Sequence, residues 1–228
     1  MRKIIQSLGK NRKKYVFKGE NIEVDLLGQG DRHGKYPIIK QLLPDCPLVI
    51  STGIGDDVEA EMDLINKYDA LVIAFDPNIV SVKYVAENVH SNNFEFIPVA
   101  IAKYNGQMTM YDTANPNYAS WISKPEHVNW CKVSDKKYIV ECKTIKTIMQ
   151  EKGLNNIDYL KLNVEGSCYD VIEEILEDKL NITQIAVCIP GRGDRYNYKY
   201  DKKMYKSLIS AGYRCVKGND DSHYLFFK

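Results

Sequence analysis

From Leu48 onward, short apolar runs alternate with amphipathic stretches. Residues 48–51 (LVIS) form a β-favouring run that ends in Thr52-Gly53-Ile54-Gly55-Asp56-Asp57. Between residues 58 and 68, Ala60, Met62, Leu64 and Ile65 are interleaved with Glu59, Glu61, Asp63 and Lys67, which predicts an amphipathic helix. Residues 70–75 (ALVIAF) are continuously apolar, as expected of a parallel strand covered on both faces. That run ends in Asp76-Pro77-Asn78. A second helix over 81–89 and a third strand over 94–97 complete a strand-helix-strand-helix-strand series. Such a series predicts an open parallel sheet with right-handed crossovers.

The second half continues the pattern with interruptions. Strands are predicted over 107–111 and 138–142, flanking an irregular loop at 112–137. A helix over 144–152 is stopped by Gly153. The run IDYLKL (157–162) reads as a strand ending at Asn163-Val164-Glu165-Gly166, and a helix follows over 169–176. A strand over 184–189 and a helix over 202–211 lead to two last strands, 213–216 and 223–227, which predict an antiparallel hairpin. The expected fold is therefore α/β and Rossmann-like, a mostly parallel sheet with an antiparallel C-terminal hairpin. Upstream, the glycines of 28–34 mark a loop, and Pro44 and Pro47 halt any preceding helix. We divide the chain into an N-terminal arm and helical lead-in (1–47) and a main domain (48–228), within one globular unit.

Composition narrows the function. Hydrophobic content of 44% and charged content of 27% are those of a soluble globular chain. A net charge of +1 argues against a protein built to hold nucleic acid. No apolar run approaches the roughly 20 residues of a membrane span. The N-terminal stretch carries Arg2, Lys3, Lys10, Arg12, Lys13, Lys14 and Lys18 without a signal-type apolar segment, so a cytoplasmic location is expected. That basic arm is either solvated or a patch for an anionic partner. None of the six cysteines forms a C-x-x-C pair or has a His at zinc-finger spacing, so neither metal nor disulfide is expected.

In open parallel sheets, ligands sit at the carboxyl ends of strands where strand order reverses. Gly53 and Gly55 follow the first parallel strand, where glycine lets backbone approach a ligand closely. Asp76 ends the next strand, where a carboxylate can accept the hydroxyl hydrogens of a ribose. Val58 takes the third glycine position of the dinucleotide fingerprint, which lowers a nicotinamide reading in favour of another adenosine ligand. Glu165 is either a general base or a carboxylate stabilised by a helix N-terminus. Tyr118 and Trp121 can stack on a sugar beside Asn117 and Ser120, or can anchor their loop to a sheet edge. Arg192 and Arg195 either bind an anionic acceptor or are solvated. His33 and His127 lie in predicted loops that could reach the pocket.

Three blocks carry a family resemblance: STGIGDDVEAEMDLINKYDALVIAFDPNIVSVKYV, FEFIPVAIAKYNG and TIKTIMQEKGLNNIDYLKLNVEGSCYDVIEEIL. Over about Leu48 to Gln184 they resemble the FkbM methyltransferases, with their glycine turn, A-F-D-P strand end and L-K-x-D-x-E-G-x-E strand end. The resemblance implies a class I methyltransferase fold, S-adenosylmethionine as cofactor, and transfer of a methyl group to a hydroxyl, often on a glycan or polyketide-like acceptor. By the same resemblance Thr52, Gly53 and Gly55 fall to the cofactor, the two glycines beside its methionine portion. Asp76 falls to the ribose and Ala100 to the adenine. Asn163 and Glu165 stand where cofactor and acceptor meet, the implied catalytic pair; Tyr118, Trp121 and Arg192 are acceptor-side candidates from their residue types alone. This chain departs from the pattern at Asn163, where the family has Asp, and at Cys168, where it has Glu. Cys188-Ile189-Pro190 also replaces an acidic residue and a histidine. Asn retains hydrogen bonding but loses the charge. The leading expectation is an O-methyltransferase acting on a glycan or glycan precursor; the alternative is a catalytically lapsed, cofactor- or glycan-binding relative.

Overall fold

The computed structural model describes residues 17–28, 35–115, 120–128, 131–189, 198–220 and 222–228. A short hairpin, β1 (Asp25–Leu27) and β2 (Tyr36–Ile38), precedes the first parallel strand β3 (Leu48–Thr52). Then come α1 (Glu59–Tyr68), β4 (Leu71–Phe75), α2 (Ile79–Asn88) and β5 (Phe94–Ile97). A second sheet is built from β6 (Ala100–Ile101), β7 (Gly106–Thr113), β8 (Trp121–Ile122) and β9 (Val133–Lys143). The main sheet resumes through α3 (Ile145–Lys152), β10 (Ile157–Leu162), α4 (Cys168–Glu177) and β11 (Ile182–Cys188). It finishes with α5 (Tyr198–Ser210), β12 (Arg214–Lys217) and β13 (His223–Phe227).

The main sheet has seven strands in the order β12-β13-β11-β10-β3-β4-β5. Pairings from β11 to β5 are all parallel, while β13 runs antiparallel to both β11 and β12. From β3 the chain moves outward to β4 and β5, then returns to the other side of β3 as β10. Strand order therefore reverses between β3 and β10, which places a ligand-binding crevice at their carboxyl ends. The alternation of side chains divides the core into two layers. Ile50, Ile73, Leu160, Val187 and Phe226 face α3, α4 and α5; Val49, Val72, Tyr159, Ala186 and Leu225 face α1, α2 and the β1–β2 hairpin. All six residues of β10 are buried, as a strand covered on both faces requires.

Local chemistry sets the helix ends. The Asn78 side chain accepts the Val80 amide to start α2, and Thr144 Oγ1 accepts the Thr147 amide to start α3. Gly153, at φ +67°, ends α3 as expected.

Two sequence expectations are corrected. The segment 112–137 is not one irregular loop: β7 extends to Thr113 and β9 starts at Val133, paired antiparallel across a bulge. After Val133, β9 runs through Ser134, Asp135, Lys136 and Lys137, a polar run whose last three residues are exposed, so nothing local marked it as strand. The lead-in is not helical beyond the 3-10 turn Lys40–Leu42 among its described residues. It contributes Leu27, Tyr36 and Ile38 to the core layer that holds Val49 and Val72. The basic arm up to residue 16 lies outside the described residues.

Candidate functional site

The glycine turn after β3 is shaped by contact with the end of β10. Gly53 has φ +73°, and a Cβ there would lie 1.9 Å from the Asn163 carbonyl oxygen. No other residue type fits both that conformation and that approach. Gly55 also takes a positive φ, +65°, but faces open space. The Gly53 amide donates to the Phe75 carbonyl (3.0 Å) and the Asn163 amide to the Thr52 carbonyl (3.1 Å), so the turn is tied to β4 and to β10.

Asp76 organises the loop from the next strand. Its Oδ2 accepts the amides of Ile54 and Gly55, each at 2.9 Å, and its Oδ1 accepts the Asn78 amide at 2.9 Å. A carboxylate offers roughly four acceptor positions. Three serve the protein, and the fourth is left for a ligand hydroxyl.

Beneath the loop is a buried charge pair that sequence reasoning missed. Lys161 Nζ lies 2.8 Å from Glu61 Oε1, with side-chain exposures of 4% and 1%. The same ammonium is 3.4 Å from the Gly53 carbonyl oxygen and 4.9 Å from the centre of the Tyr36 ring. Ser51 donates its hydroxyl to Glu61 Oε1 as well. The signal was a lysine between Leu160 and Leu162 in a strand of the second half, a residue type that is almost never buried without a partner.

Past β10 the chain enters a 3-10 turn, Glu165–Ser167, and Glu165 has φ +49°. For a non-glycine residue this conformation costs on the order of 1–2 kcal/mol, so the surroundings must hold it. They do. Ser123 and Ser167 share a hydrogen bond, His127 Nδ1 sits 3.2 Å from the Gly166 carbonyl, and Lys124 pairs with Asp170 at 3.1 Å. A Cβ on Gly166 would come within 2.5 Å of His127 Cβ. The segment from β8 to His127 is thus a strap fastened onto the start of α4.

Together these elements line a solvent-open cleft between the glycine turn, the end of β10 and the second sheet. Of the residues singled out from sequence, Gly53, Gly55, Asp76, Ala100, Asn163 and Glu165 all line it, and so does Trp121. Thr52 does not; it is buried, and its hydroxyl donates to the Lys161 carbonyl. His127 is buried against the ring of Tyr169 and does not line the cleft, and Cys168 lies in the core, where burial pushes its thiol well up. Tyr118, Arg192, Arg195, Asn117 and His33 fall outside the described residues. The far wall, Met108 and Met110 on β7, was not anticipated, because thioethers in a strand read as ordinary core. Among the described residues no cluster of His, Cys, Asp and Glu could hold a metal ion.

A reversal of strand order, a glycine turn against β10, an acid ending β4 and an antiparallel last strand together make up the class I methyltransferase fold. Residues 44–215 match the methyltransferase FkbM domain, and the chain belongs to that family. No curated protein matches it significantly. Solved structures that it is similar to include M. capricolum TrmK in complex with S-adenosyl-homocysteine: 13% identity, 83% of this chain and 67% of that one covered, TM-score 0.41. Another is a Methanococcus jannaschii fibrillarin, a pre-rRNA processing protein: 10% identity, 96% and 90% covered, TM-score 0.45.

The residues present fit the family's cofactor, S-adenosylmethionine. The cradle at Gly53 gives the backbone approach that its methionine end needs, Asp76 retains one acceptor position for ribose, and Ala100 and Ile101 offer an apolar surface to adenine. No described helix is long and apolar enough to cross a membrane.

Proposed function

We propose that the protein is an O-methyltransferase that methylates a hydroxyl of a glycan or glycan precursor, with Glu165 as the base. The observation that carries this reading is one cleft holding the cofactor residues and a carboxylate fixed at positive φ beside them. The cofactor, when bound, supplies the activated methyl group. The chain supplies alignment and takes up a proton. A sugar hydroxyl is a poor nucleophile, and a positioned base contributes about 10²–10⁴-fold. Asn163 lines the cleft and acts mainly through its backbone, whose carbonyl seats Gly53, while its side chain carries no charge. Arg192 and Tyr118 belong to the acceptor side in this reading, and residues 48–228 form the catalytic domain with 1–47 as arm and lead-in. None of the six cysteines is in a disulfide, which suits the reducing cytoplasm we assign to it.

The test pairs binding with turnover. Calorimetric titration should show S-adenosylmethionine and S-adenosyl-homocysteine binding, strongly weakened by Asp76→Ala. Methyl-labelled cofactor should then pass alkali-stable label to glycan fractions, and Glu165→Gln should cut that rate by about 10²–10⁴-fold with binding retained. Binding without transfer to any glycan fraction overturns the proposal and leaves the lapsed, cofactor-binding relative.

A further inference from the structure

The wall opposite the glycine turn has a direction. On β7, Met108 pairs with Val140 and Met110 with Tyr138, and the next rung pairs Asp112 with Trp121 of β8. Met108 and Met110, two apart, share a face of β7, and beyond them, past the bulge near Asp112, comes Trp121; all three line the cleft. Met108 packs with Ala100 in one small cluster. Four residues further along, about 13 Å at the usual strand rise, is the rung of Trp121. There the strap fastens at Ser123 and Ser167 next to Glu165. The wall therefore runs from the adenine end to the end where the methyl group is transferred.

The indole at that end is held from behind. Tyr138 stacks on Trp121 with ring centres 3.9 Å apart and planes 12° apart. The Tyr138 hydroxyl donates to Asp112 Oδ2 at 3.4 Å. Tyr138 covers one face of the indole, and Trp121 is among the residues that line the cleft. Charge points the same way. The described lining carries the carboxylates of Asp76 and Glu165 and no Lys, Arg or His. An aromatic surface set beside two acidic residues suits a positively charged ligand.

We propose that Trp121 receives the sulfonium centre of S-adenosylmethionine on the indole face opposite Tyr138, and so makes the cleft prefer the charged cofactor over its neutral thioether product. The proposal rests on the cofactor reading and moves Trp121 from the acceptor side to the cofactor. Tryptophan is the strongest of the aromatic partners for a cation, and the attraction grows when the site is desolvated. S-adenosyl-homocysteine keeps the adenosine and amino-acid groups but lacks the positive sulfur. The two ligands differ in the group that Trp121 would sense and agree elsewhere.

The experiment is a calorimetric titration of the full chain with S-adenosylmethionine and, separately, S-adenosyl-homocysteine, for the wild type, Trp121→Phe and Trp121→Leu. The expected result is a roughly tenfold loss of S-adenosylmethionine affinity in Trp121→Leu, with S-adenosyl-homocysteine affinity within about twofold of wild type and Trp121→Phe between. Equal losses for both ligands would show a general contact with no sense of charge and would overturn the proposal. Unchanged affinities would overturn it too, returning the indole to the acceptor. Should Trp121→Leu fail to fold, Trp121→Phe, which keeps a ring on Tyr138, decides by whether the ratio of the two affinities shrinks. A wild type that binds neither ligand would refute the cofactor reading itself, a different result from either loss.

Discussion

Replacing Lys161 by Met keeps an unbranched side chain one atom shorter and removes its charge. In the folded protein Lys161 and Glu61 are 2.8 Å apart and almost wholly buried. At an effective dielectric constant of about 20, that separation corresponds to an attraction of about 6 kcal/mol. Taking two ions out of water costs several kcal/mol each, so the intact pair contributes little net stability. Its loss is a different matter. With methionine at 161, Glu61 retains the Ser51 hydroxyl on Oε1, while its Oε2 already has no hydrogen-bond partner. Breaking such a pair destabilises by about 3–5 kcal/mol. For a chain of this size that is a fall in melting temperature of roughly 6–20 °C. Thermal and urea unfolding of the wild type, Lys161→Met, Glu61→Leu and the double variant will measure it. The double variant should recover most of the loss, because it leaves no charge behind. A single-variant loss below about 1 kcal/mol, or a double variant as unstable as the sum of the two singles, would refute the reasoning.

Two further outcomes follow from the same geometry. Gly53→Ala should cost at least about 2 kcal/mol and abolish binding of S-adenosyl-homocysteine, because its Cβ collides with the Asn163 carbonyl. Gly55→Ala, strained but in open space, should cost about 1 kcal/mol; equal losses in paired melts would show that the close approach is not the cause. Glu174 is 5% exposed, and burial pushes its carboxyl up to about 7 from 4.5. Its folded form holds the proton more tightly than the unfolded chain, so its contribution is present below about pH 4.5 and is lost as pH rises through 7. Glu174→Gln should therefore gain on the wild type by up to roughly 3 kcal/mol between pH 5 and pH 8 in urea unfolding; a difference that does not change with pH would sink the assignment.

Much of the architecture was legible because it follows from residues close in sequence. The runs 94–97, 157–162 and 223–227 match their strands end to end, and Thr144 and Gly153 bracket α3 as capping chemistry requires. The β1–β2 hairpin escaped notice: three-residue strands carry no period, and Tyr36 and Ile38 gain their burial from strands far along the chain, β11 and β13 among them. The start of β9 escaped for a related reason, since its hydrogen bonds come from β7 and its side chains face water. Within the site, Gly53, Asp76 and Glu165 were visible because strand ends announce them. The Lys161–Glu61 brace was not, because its partners are 100 residues apart. Nor was the strap, whose anchor at Gly166 depends on a close approach by His127 and Lys124 that no spacing encodes.

The placement of β13 has a consequence for how the protein is made. That strand lies between β11 and β12, although it follows both in the chain. During synthesis, β11 emerges from the ribosome with no neighbour on its outer edge, and β12 emerges with nothing to join. Phe17 waits as well, since it packs on Tyr224 and Phe226 of β13. For the interval in which α5, β12 and β13 are translated, the nascent chain presents an open parallel edge flanked by Val187 and Ile185. Unpaired edges of this kind invite pairing with other chains. The fold is thus completed late and from the inside, and the nascent form, more than the finished one, is the species that a chaperone has to shield.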